Sequence, residues 1–113
     1  MKFFFPLLAI IFLECSTTKS QTQSVPSCIN DKIESFKKQA KQNPPRTVTE
    51  YTYKGKKVYY ISAVCCDQLS EVYDSKCNLL GYPDGGFTGK GDGSLPNFNK
   101  EAKDEKIIWK DER

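Results

Sequence analysis

The chain has 113 residues, five cysteines, no histidine and a formal net charge of +3. That length bounds it to one domain. The missing histidine excludes Ser-His-Asp and Cys-His nucleophile pairs, histidine zinc sites and the usual neutral-pH proton shuttle.

Met1-Lys2 give a short positive start to an eleven-residue apolar run, Phe3 to Leu13, broken only by Pro6. The run is too short to cross a bilayer and matches the core of a signal peptide. Residues 1–14 are therefore read as a cleavable export signal. Cys15 follows directly, ahead of a polar Ser/Thr/Gln tract. It stands where a bacterial lipoprotein carries its acylated cysteine, although Glu14 replaces the small residue expected there. A general signal peptidase cutting near Ser20 is the other reading. Residues 15–27 have no apolar periodicity and read as a flexible tether, leaving residues 28–113 as the folded domain.

Pro26-Ser27 announces a helix with Ser27 as N-cap. Ile29, Ile33, Phe36 and Ala40 recur at spacings of four, three and four residues, one narrow apolar stripe. Pro44 and Pro45 end it. Lys37, Lys38 and Lys41 fall on its solvated face. Arg46 to Tyr53 alternates and is rich in Thr and Tyr, which predicts a strand. A turn at Lys54-Gly55-Lys56 then feeds a second strand from Lys57 to Cys66, apolar on both faces and so central. Leu69 to Asp74 is a third strand, followed by a turn to Asn78. Six of the seven glycines lie between Gly81 and Gly93, a composition that supports only a loop. The charged stretch Lys100 to Lys106 precedes a last strand at Ile107-Ile108-Trp109.

With Cys15 set aside, Cys28, Cys65, Cys66 and Cys77 remain, an even number suited to a disulfide framework in a small exported domain. Adjacent residues on a strand face opposite ways. The expected arrangement therefore joins one of Cys65 and Cys66 to Cys28 and the other to Cys77. A thiol redox role for Cys65 and Cys66 is an alternative, but the chain has no C-x-x-C pair. Four thiolates as a soft-metal site fit an oxidising compartment poorly.

The glycine block offers Asp84, Gly85, Gly86, Thr88 and Asp92 as candidate binding residues. Gly89-Lys90-Gly91 fails as a P-loop end, because no Ser or Thr follows the lysine. The block also lacks the alternating acids and closing glutamate of an EF-hand. No cofactor or metal is expected, although Asp84 and Asp92 with backbone carbonyls leave calcium open. Asp67, Glu71, Asp74, Asp84 and Asp92 are the acids available for carboxylate catalysis, and their spacing marks no acid/base pair.

Cys28-Ile29, Val58-Tyr59-Tyr60-Ile61, Cys65-Cys66-Asp67-Gln68, Val72-Tyr73-Asp74, the block Pro83 to Gly93 and Ile108-Trp109 together resemble a family of small bacterial lipoprotein-like domains of unknown function. The resemblance spans nearly the whole chain after the tether. It implies export and the domain boundaries, and it brings no activity with it.

These readings predict an α+β domain: one amphipathic N-terminal helix on a small antiparallel sheet, disulfide-stapled, with a glycine-rich loop. The expected role is a non-enzymatic cell-envelope lipoprotein, a binding or inhibitor-like module acting as a monomer. Its expected partners are an envelope protein or ligand and the membrane that holds its anchor, with no nucleic acid. The glycine loop and Tyr51, Tyr53, Tyr73 and Tyr82 are the expected contact region. A periplasmic or secreted soluble form is the alternative location. The alternative activity is a carboxylate-dependent envelope hydrolase using Asp84 and Asp92.

Overall fold

A computed structural model describes residues 25–65 and 67–113. The expected signal peptide, Cys15, most of the expected tether and Cys66 lie outside the described residues. The predicted class is α+β, and that is the fold. Helix α1 spans Ser27–Lys37, followed by strands β1 (Thr47–Tyr53), β2 (Lys56–Ile61), β3 (Glu71–Asp74) and β4 (Leu79–Gly81). A short helix α2 (Phe98–Glu101) and strand β5 (Lys103–Lys110) complete it. The strands form one five-stranded sheet in the order β4-β3-β2-β1-β5. Every pairing is antiparallel.

β2 holds the middle of the sheet, as its two apolar faces require. Tyr59 and Ile61 pack with Ile29 and Ile33 of α1 and with Val48. Val58 on the other face packs with Tyr53, Val72 and Phe98, which sits at the start of α2. The sheet therefore has two cores, and the segment between β4 and β5 covers the second as a strap. Alternation in β1 and β2 does the sorting, because successive residues must face opposite ways.

α1 starts with Pro26 as N-cap and Ser27 as the first helical residue, without a side-chain cap. It stops at Lys37, short of the prolines expected to end it. Ala40 is exposed and adds no burial. The cap comes from far away instead: the Arg113 guanidinium donates to the carbonyls of Lys37 at 3.0 Å and Phe36 at 3.4 Å. Asp111 holds that guanidinium in place with a 2.8 Å ion pair. Lys41 also donates to the Arg113 carbonyl.

The disulfide expectation needs correction. Cys28 is bonded directly to Cys77, with Cα atoms 6.0 Å apart. β2 ends at Ile61, so Cys65 lies in an exposed turn rather than on a strand. The premise of two strand cysteines facing opposite ways fails with it. Ser62 makes the transition: its N–H donates to the Thr47 carbonyl at 3.0 Å, and its hydroxyl accepts the Thr47 N–H at 2.8 Å. Cys65 is disulfide-bonded too.

Candidate functional site: the glycine lobe

The Asp74 carboxylate builds the β3–β4 turn, accepting the N–H groups of Lys76 at 2.8 Å and Asn78 at 2.9 Å. Those donors, the Asn78 amide foremost, hold its pKa below the usual carboxylate range. Asp74 is a turn builder, not a candidate acid.

After β4 the chain folds into a closed lobe. At its base Asp92 donates its N–H to the Tyr82 carbonyl at 3.1 Å, and Gly91 donates to Gly85 at 3.1 Å. The lobe is also tied to the loop before β3. Ser70 N–H donates to the Asp84 carbonyl at 3.1 Å, and Gly86 N–H to the Gln68 carbonyl at 3.0 Å. Two glycines are obligatory for this approach. A Cβ on Gly91, at φ +68°, would stand 1.9 Å from the Tyr82 carbonyl oxygen. A Cβ on Gly85, at φ +83°, would stand 2.4 Å from the Gln68 carbonyl oxygen. Any side chain would push the lobe off its support.

Beneath the lobe lies a three-residue polar cluster. Tyr60 of β2 donates its phenol hydrogen to Asp84, with Oδ2 at 2.9 Å and Oδ1 at 3.1 Å. The buried Ser70 hydroxyl is 3.1 Å from the same phenol oxygen and accepts the Ala63 N–H at 3.0 Å. Burial first, and then the Asp84 carboxylate, push the Tyr60 phenol up to about 12. Tyr60 is thus a neutral donor at any physiological pH and cannot serve as a base. Asp92 is occupied elsewhere, accepting the Ser94 N–H at 3.0 Å and the Ser94 hydroxyl. Those bonds, the Ser94 hydroxyl's first, lower its pKa in turn.

Asp84 and Asp92 therefore sit in one lobe, but each carboxylate is engaged with its own structural partner. The arrangement supplies no acid poised against a base. Gly85 and Gly86 likewise spend their backbone groups on the lobe itself. Of the candidate binding residues Thr88 and Asp92 are exposed, and Thr88 lies at the tip, where its hydroxyl accepts the Lys90 N–H at 3.2 Å. Among the described residues no group of three or more His, Cys, Asp or Glu side chains could hold a metal.

Beside Thr88 stands a residue that the sequence reading passes over. Phe87 is 94% exposed, the most exposed of the large apolar side chains among the described residues. The sequence signal was present: an aromatic set among glycines has few neighbouring side chains to bury it. The tyrosines fare differently. Tyr53 is buried, and Tyr51, Tyr73 and Tyr82 are half-buried. Tyr51 packs edge-on against Phe98 with centroids 5.8 Å apart. Tyr73 donates to Glu71 at 2.8 Å. The exposed-tyrosine surface is accordingly replaced by one phenylalanine on a braced loop.

These features define a small α+β domain with a disulfide between its helix and the turn after its third strand. The chain belongs to a family described as a domain of unknown function (DUF6970), whose model matches residues 34–111. No curated protein and no solved structure matches it. The Cys28–Cys77 disulfide is the kind of bond that persists in an oxidising, exported environment. No described helix is long and apolar enough to cross a membrane.

Proposed function

We propose that the protein is a non-enzymatic binding module of the bacterial cell envelope, which engages a protein partner through the tip of the glycine lobe. The observation that carries this reading is Phe87, 94% exposed on a loop whose base is fixed by hydrogen bonds to two other parts of the chain, the loop before β3 and Tyr60 of β2. An exposed aromatic costs nothing in the free protein when the loop beneath it is already ordered. It then supplies the kind of anchor that dominates protein interfaces. An inhibitor-like role is the same binding mode with a hydrolase cleft as the receptor. The apolar run Phe3 to Leu13, the position of Cys15 and the disulfide support export with a lipid anchor at Cys15. In this reading residues 1–14 are removed, residues 15–27 span the gap from the membrane, and residues 28–113 do the binding.

The test is photo-crosslinking in intact cells from a reactive residue placed at Thr88, with the same residue placed at Glu34 on exposed α1 as the comparison. A discrete adduct from position 88 that is missing from position 34 supports the reading. Identical adducts from both positions, or none from position 88, count against it.

A further inference from the structure

The two faces of the sheet are covered unequally. α1 lays 11 residues over one face, whereas α2 offers four to the other. At the hairpin end of that second face a groove of about 410 Å³ remains, walled by Tyr53, Val58, Leu80 and Leu95. Lys54, Lys56 and Asp74 complete its lining. Leu80 stays 37% exposed, so the groove is open to solvent. Its size falls within the range of about 300–1,000 Å³ typical of small-molecule sites.

Charge gives this groove a chemical preference. Lys54 and Lys56 are exposed, and neither forms an ion pair among the described residues. The Lys54 ammonium stands 5.2 Å from the Tyr53 ring centroid, above the same wall. The one acid in the lining, Asp74, has its oxygens committed to the Lys76 and Asn78 donors of its turn. Two lysines against one acid leave an apolar trough with a net positive mouth.

We infer that this groove binds a small amphipathic anion, its alkyl chain against Val58, Leu80 and Leu95 and its head between Lys54 and Lys56. A free alkyl carboxylate and one chain of an anionic lipid share this chemistry. The inference does not rest on the Phe87 reading, because the groove and the lobe tip share no residue.

The experiment titrates the matured, oxidised protein with dodecanoate and with dodecyltrimethylammonium, which has the same chain and the opposite charge. Methyl resonances of Val58, Leu80 and Leu95 report occupancy of the groove. Dodecanoate should shift all three, and the cation should bind at least about ten-fold more weakly. Tyr53→Phe should keep or raise the melting temperature, since it removes an unsatisfied buried hydroxyl, and should leave dodecanoate binding unchanged. Lys54→Gln with Lys56→Gln should weaken dodecanoate about three- to ten-fold and abolish its salt dependence. Phe87→Ser should leave it unchanged, so failure here and failure of the lobe reading are separable. Shifts with dodecanoate alone assign the free acid. The same shifts with phosphatidylglycerol vesicles but not phosphatidylcholine vesicles assign a lipid source. Equal binding of the cation overturns the inference, as does a dodecanoate affinity indifferent to the lysine substitutions.

Discussion

At the scale of single residues, Tyr60 and Asp111 hold the structure by different physics. Tyr60 is the post on which the glycine lobe stands, since its hydroxyl meets both Asp84 and Ser70. Tyr60→Phe keeps the ring packing and removes those bonds. A hydrogen bond to a charged acceptor contributes about 1.5–3 kcal/mol, so the substitution should lower stability by about that much in urea unfolding. Hydrogen exchange at Gly86 and Gly91 should accelerate beyond the global loss, because the lobe loses its footing first. Asp111 is a pH sensor of the fold. Its bond to the Arg113 guanidinium, the largest cause, drops the carboxyl to about 2 in the folded chain. An unfolded aspartate titrates near 3.9. Because the folded value is the lower one, this contribution is complete above about pH 4 and is lost as pH falls toward about 2. Asp111→Asn should therefore lower stability at neutral pH and flatten its decline between about pH 4 and 2, a difference read from urea midpoints across that range.

At the scale of elements, legibility in the sequence followed whether an element carries its own periodicity. β1 and β2 announce themselves by alternation and by the Lys54-Gly55 turn. The double-sided apolar pattern of β2 placed it correctly in the middle of the sheet. α1 was visible in Ile29 and Ile33, both buried. Its end was not, because the cap is Arg113, 76 residues from Lys37. β4 has three residues, and its existence depends on Val72 and Tyr73 of its neighbour. The first half of β5, Lys103 to Lys106, reads as a solvated charge run. It is a strand because β1 offers it a partner, and as an edge strand it benefits from charges that discourage pairing with other chains. The glycine lobe was legible as a loop. That Asp84 and Asp92 would serve the loop rather than a ligand depends on contacts with Tyr60 and Ser94 that no local pattern encodes. The disulfide is an element-scale device as well, joining α1 to the turn after β3 across 49 residues. Closing a loop of that length is worth about 4 kcal/mol in the chain-entropy estimate. Cys28→Ser with Cys77→Ser should lower urea stability by a comparable amount, with α1 released before the sheet in hydrogen exchange.

At the scale of the whole molecule, the chain divides its labour, in the proposed reading, between a delivered body and a presented tip. A folded unit this small buries too little surface to be stable by a wide margin, and the Cys28–Cys77 bond compensates for that. The account predicts a matured protein whose mass begins at Cys15 with added acyl chains, and which gains four hydrogens on reduction as two disulfides open. An unlipidated mass beginning further along the chain would remove the anchor from the account.

The central claim is that Phe87 exists for a partner and not for the fold, and one measurement separates these roles. Phe87→Ser is compared with the wild-type chain in thermal unfolding and in crosslinking from position 88. A side chain 94% exposed contributes little to folding, so its loss should change stability by no more than about 0.5 kcal/mol. The account predicts an unchanged melting temperature together with loss of the adduct. A melting temperature several degrees lower, or an adduct that survives the substitution, would contradict it.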